Sequence, residues 1–210
     1  MYVALMAYPL LGAGIKYIDD AFDEKRFNKI LAVALAPILG IIGAYTMLVD
    51  PISATILLAI VAGVLLKGKI DNYAHCLGFI VALIIIILLG VNVLILPLIF
   101  LAAAALLDEI GNDIVDVANG HINREKVSHR FVLYFFDQRW AMKLAILFTV
   151  FMGIIPWYFF FAIVLFDSAY LAVRWYGRSR STVSIWFDMQ RLKLKELVSS
   201  DKRYTTTEIS

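Results

Sequence analysis

The sequence predicts an all-α fold: a polytopic transmembrane helical bundle of about seven spans, N-terminus outside and C-terminus inside. Three observations predict it. The 210 residues are 62% hydrophobic and only 17% charged, whereas a soluble domain runs near half apolar and about a quarter charged. The mean hydropathy of +0.83 comes from long runs almost free of charge, of the kind that supply the roughly 20 apolar residues of a membrane-spanning helix. All 19 Lys and Arg residues fall where a seven-span path puts one side of the bilayer.

The first helix covers about residues 2–23, with Pro9 and Gly12 inside it. The second covers 28–49. Asp50-Pro51 marks a sharp turn, because proline suits the first helical position, and the third helix follows over 52–67. The fourth covers 71–89 and opens on Asp71 and Asn72, which suit an N-cap. Gly90-Val91-Asn92 breaks the chain, and the fifth helix runs on to 116. Residues 117–138 read as a polar connector, and the sixth helix covers 139–155. Pro156-Trp157 breaks the run again, and the seventh helix ends near 176. Residues 1–176 thus form the membrane domain and 177–210 a cytoplasmic basic amphipathic tail. In that tail Val183, Trp186, Met189, Leu192 and Leu197 fall near one helical face beside Arg191, Lys193 and Lys195. Such a face suits an anionic inner leaflet; a solvated basic tail is the alternative expectation. The first eleven residues carry no Lys or Arg, so they read as a retained span rather than a cleaved signal.

Positive charge sets the orientation. Seven crossings leave four inside regions, 16–29, 67–69, 124–143 and 174–210, holding four, two, five and eight basic residues. The outside turns at Asp50, Gly90 and Pro156 hold none. One more or one fewer span would divide the basic clusters between the two sides. The single cysteine, Cys76, excludes an internal disulfide. His75, His121 and His129 do not have the spacing of a zinc site. Neither a phosphate-cradling loop nor a dinucleotide fingerprint is present. No nucleic-acid partner is expected; membrane lipids are.

The acids carry the functional signal. The first helix ends in Asp19-Asp20-Ala-Phe-Asp23-Glu24, and the fifth in Asp108-Glu109-Ile-Gly-Asn112-Asp113-Ile-Val-Asp116. Residues three and four apart share a helix face, so Glu109, Asn112, Asp113 and Asp116 form a polar stripe. An acid at the bilayer centre costs roughly 2.5–3.5 kcal/mol, and less toward the interface. Such faces belong against a wet cavity or a bound cation, and hard oxygen ligands select magnesium, calcium or manganese. Asp20-x-x-Asp23 returns 93 residues later as Asp113-x-x-Asp116, each followed by basic residues and an apolar helix. The two clusters therefore read as an internal repeat around a shared site. Asp167 with Tyr170 near Arg174, and Asp71, are further candidates; the alternative expectation for Asp167 is a structural pair with Arg174 or Lys16. His75 and Cys76 read as packed helix residues.

Asn112-Asp113-x-x-Asp116 resembles a signature of the UbiA superfamily of intramembrane prenyltransferases, and Asp19-Asp20-x-x-Asp23 is similar to the family's other Asp-rich motif. His121 stands where an acid would be usual. With fewer spans than that family, the chain resembles a reduced or divergent member. The resemblance implies a prenyltransferase in which Asp20, Asp23, Asp113 and Asp116 hold magnesium on an isoprenyl diphosphate at the cytoplasmic face. Asp19, Glu109 and Asn112 would support them, and Arg124, Lys126 and Arg130 would neutralise the diphosphate. The partners it implies are an isoprenyl diphosphate and a lipid or aromatic acceptor. The rival expectations are a divalent-cation or proton-coupled transporter with paired acidic helices, and a non-catalytic membrane subunit.

Overall fold

The computed structural model describes residues 1–68, 72–118 and 127–179, without the side chains of residues 115–118, 127–130 and 137. Every element among the described residues is a helix: α1 (Tyr2–Phe22), α2 (Lys29–Val49), α3 (Pro51–Leu66), α4 (Tyr73–Leu89), α5 (Ile95–Ala118), α6 (Val127–Asp137), α7 (Trp140–Phe151) and α8 (Tyr158–Ser179). Local chemistry sets the ends. Asn28 caps α2 by accepting from the N–H of Ile30 at 2.8 Å. Asp50 caps α3 by accepting from the N–H of Ile52 at 2.8 Å, with Pro51 in the first turn. Asn72 caps α4 by accepting from the N–H of His75. Gly90 and Gly153 take positive φ at the breaks before α5 and after α7, a conformation glycine adopts at little steric cost.

Three helices, α2, α8 and residues Ile95–Ile114 of α5, are long and apolar enough to cross a membrane. The helices α3, α4 and α7 are apolar but shorter. Their outer faces are oily: Ile87 and Leu88 of α4 are 70% and 75% exposed, and Ala74 is the one buried residue of α4. A surface this apolar fits a lipid environment far better than water. One expectation is corrected. The stretch read as a polar connector contains α6, whose Phe131 and Tyr134 are exposed. Its aromatic residues recur at helical spacing, Phe131 and Phe135 four apart. The charged residues around them hid that pattern.

Contact pairs give the helix directions. Leu11 meets Gly43 while Ile18 and Ala36 share a cluster, so α1 and α2 run antiparallel. Ala36 and Ala74 share that cluster, while Gly40 meets Gly78, so α2 and α4 run parallel. On α3 and α5, Thr55 accepts from the N–H of Leu94 and Lys67 pairs with Asp113, so these two are also parallel. Phe100 packs on Phe148 and Asp108 on Ala141, making α5 and α7 antiparallel. Tyr8 packs on Phe159 and Asp19 meets Tyr170, making α1 and α8 parallel. The buried core lies at these crossings, with Tyr8, Ile56, Leu101, Ile146 and Phe159 at its centre. Glycines allow the closest approaches: a Cβ on Gly12 would meet the Phe166 carbonyl, on Gly40 the Gly78 carbonyl, and on Gly63 the Ala105 side chain. Without a hydrophobic drive between helices in lipid, small residues at crossings supply the packing.

Candidate functional site: a slot with one charged end

Five consecutive helices and α8 wall a cavity of about 480 Å³, well within the roughly 300–1,000 Å³ of small-molecule sites. Along α1 its lining runs from Leu11 to Asp23, about 18 Å at helical rise. One end is polar: Lys16, Asp19, Asp23, His75, Glu109, Asn112, Arg139 and Tyr170. Away from it the walls are apolar, with Leu11, Leu39, Met47, Leu57, Val61 and Phe79 among them. The space is therefore a slot, charged at one end and greasy along its length.

The two motif helices reach the polar end together, through Asp19 and Asp23 from one and Glu109 and Asn112 from the other. Asp19 accepts from the Tyr170 hydroxyl at 3.2 Å and lies 2.6 Å from His75 Nε2. Glu109, 5% exposed, pairs with Arg139 at 3.1 Å. The Tyr170 ring carries two cations, Lys16 Nζ at 5.1 Å and the Arg139 guanidinium at 5.0 Å from its centroid.

Among the described side chains, Asp20, Asp108 and Asp113 sit outside this lining. Asp20 is fully buried, with Lys16 at 2.9 Å and Arg26 at 3.8 Å. Asp113 pairs with Lys67 at 2.6 Å, joining α3 to α5. Asp108 performs a structural task unseen in the sequence. Its carboxylate accepts from the N–H groups of Ala141 at 3.0 Å and Met142 at 2.7 Å. It thereby caps α7 from another helix, because the preceding residue, Arg139, supplies no side-chain cap. Asp167 pairs with Lys143 at 2.6 Å, while Lys16, one of its expected partners, pairs with Asp20. Lys143 also donates to the Gln138 carbonyl.

Asp71, Arg124 and Lys126 lie outside the described residues. The backbones of Asp116 in α5 and Arg130 in α6 are described, but their side chains are not. His75 and Arg139 were missed as site residues. Nothing local marks His75, whose partner is 56 positions away. Arg139 carried a faint signal as one of the five basic residues of the inside region 124–143, at the start of the expected sixth helix. Its left-handed backbone, φ 50°, is uncommon outside glycine and costs on the order of 1–3 kcal/mol.

A divalent ion needs several oxygen ligands converging on one point. Among the described residues no three His, Cys, Asp or Glu side chains are grouped to hold one, and Asp19, Asp20, Glu109 and Asp113 are each engaged by a cationic or histidine side chain. The described residues therefore do not by themselves fit magnesium. No protein-family model, curated protein or solved structure matches the chain.

Proposed function

We propose that this chain is an intramembrane prenyltransferase of UbiA-like type that holds an isoprenyl diphosphate in the slot, head among the polar residues and tail along the apolar wall. The slot itself carries the reading. An apolar space whose polar end sets the cations Lys16 and Arg139 beside Asp19, Asp23, Glu109 and Asn112 of the two motif helices suits a single-chain lipid with an anionic head. In the reaction the allylic C–O bond breaks heterolytically and pyrophosphate leaves. The acceptor carbon then bonds to the prenyl carbon and loses a proton. Hydrogen-bond donors at the polar end act where charge develops on the leaving group, and the apolar wall keeps water from the allylic cation. Magnesium belongs to this proposal only through the family resemblance, so no step is routed through it.

Cation transport fits less well, since an ion path needs polar groups at several depths and the slot beyond its polar end is walled by apolar residues.

The proposed topology is seven crossings, by α1–α5, α7 and α8, with the N-terminus outside, the tail inside and α6 at the inner surface. Three observations support it: the alternating helix directions, the basic residues confined to four clusters, and the Lys67–Asp113, Arg139–Glu109 and His75–Asp19 pairs gathered at one end of the bundle. The helix of α7 alone, 12 residues, covers about 18 Å, so the turn after it completes that crossing.

The test is a titration of the purified chain with farnesyl and geranylgeranyl diphosphate, with and without magnesium, while pyrophosphate release to an aromatic acceptor is followed. Saturable binding, weakened in Asp19→Asn and Asn112→Leu, is expected. If neither diphosphate binds saturably under either condition, the proposal fails.

A further inference from the structure

We infer that Arg139 and Lys16 form the anion grip of the slot, a pair of cations on Tyr170 that takes the phosphate-class head of a single-chain lipid. The inference deepens the lipid-slot reading above and assigns the head to residues other than the basic stretch 124–130. Four observations converge on Arg139. It lines the slot. Its backbone is left-handed at φ 50°, a strained state that persists only where surrounding structure imposes it. Two adjacent acids of α5 impose it: Asp108 fixes the start of α7 through Ala141 and Met142, and Glu109 holds the guanidinium at 3.1 Å. The guanidinium also lies over the Tyr170 ring, 5.0 Å from its centroid.

Lys16 reaches the same ring from α1 and likewise lines the slot. Arginine's planar fork suits bidentate capture of a phosphate, and a lysine adds a compact point charge. The Asn112 amide, a further donor, borders the same end, while the Tyr170 hydroxyl donates to Asp19. In this arrangement Glu109 is a placeholder: it balances Arg139 when no anion is bound, and an incoming phosphate competes with it for the guanidinium. Asp108 is a positioning residue, acting through the corner it caps.

The experiment measures binding of dodecyl phosphate, inorganic phosphate, dodecanol and dodecylamine to the purified full chain, with the melting temperature of every variant recorded. Dodecyl phosphate should bind best, and inorganic phosphate alone much more weakly, because the apolar wall then contributes nothing. Arg139→Gln and Lys16→Gln should each weaken dodecyl phosphate by about tenfold, the size of a lost charged hydrogen bond. Arg139→Lys should retain part of the affinity. Glu109→Gln should tighten it severalfold by releasing Arg139, an effect opposite to that of a purely structural ion pair.

The inference is overturned if Arg139→Gln binds dodecyl phosphate like the parent, if Glu109→Gln weakens binding at an unchanged melting temperature, or if dodecylamine or dodecanol binds as tightly as the phosphate. Inorganic phosphate binding as well as dodecyl phosphate would also overturn it, since the ligand would then be the free anion. The two proposals separate cleanly. Tight dodecyl phosphate binding without prenyl transfer removes the enzyme and leaves the grip. Prenyl transfer unaffected by Arg139→Gln removes the grip and leaves the enzyme.

Discussion

Lys143 and Asp167 bridge α7 and α8 at 2.6 Å, with side chains only 8% and 13% exposed. Removing one partner of such a pair strands a charge where neither water nor another ion reaches it easily. Lys143→Met should therefore destabilise the protein by about 3 kcal/mol or more, whereas Lys143→Met combined with Asp167→Leu should recover most of the loss. Thermal denaturation of the two variants in one detergent checks this; equal melting temperatures for the single and the double variant would show that the pair is not a lock. At this scale the sequence was legible as to where the acids cluster and silent about what each one touches. Acid spacing placed Asp19 or Asp20 with Asp23, and Glu109 with Asn112, on shared faces. It did not distinguish Asp19, which faces the slot, from its neighbour Asp20, which is buried against Lys16. One step along a helix turns a side chain by about 100°, and only packing decides which of two adjacent acids faces inward.

Between helices, glycine decides how closely the walls of the slot approach. On α2 and α4, Gly40 faces the backbone of Gly78, and residues around both line the cavity. Gly40→Leu should push the two helices apart, destabilise the protein by about 1–3 kcal/mol and weaken binding of any occupant of the slot. Gly68→Ala, where a Cβ meets nothing within 4 Å but φ is +71°, should act through backbone strain and leave slot binding unchanged. Parallel melting and binding curves for the two variants separate these effects. Most helix boundaries were legible because the caps are local: Asn28, Asp50-Pro51 and Asn72 announce their helices within three residues. The helix α6 was not, because its amphipathic run is short, 11 residues, and embedded in charge. The corner at Arg139 was illegible for a different reason. Its geometry is imposed by Asp108 and Glu109, about thirty positions earlier, and no local pattern encodes a contact that distant.

Across the whole molecule, hydropathy and charge asymmetry made the helical membrane class readable, because a bilayer imposes both on any chain that crosses it. The slot was not readable, since six helices and a corner contribute to it and its shape follows from their packing. The proposed orientation has a direct consequence for chemical access. With Cys76 replaced by Ala, a cysteine at Asp50 should react with a membrane-impermeant maleimide on intact cells. A cysteine at Glu24 or Gly68 should react only after permeabilisation. Labelling of all three from outside would rule out the seven-crossing topology.

The central claim is that the slot holds a single-chain lipid with its head at the Asp19 and Glu109 end. The most direct measurement is photo-crosslinking with a farnesyl diphosphate analogue carrying its reactive group at the tail terminus, mapped by peptide mass spectrometry. Labels on Leu39, Met47 or Leu57, competed away by unlabelled farnesyl diphosphate, are the expected result. Labels confined to the outer face of α4, at Ile84, Ile87 and Leu88, and indifferent to competitor, would contradict it.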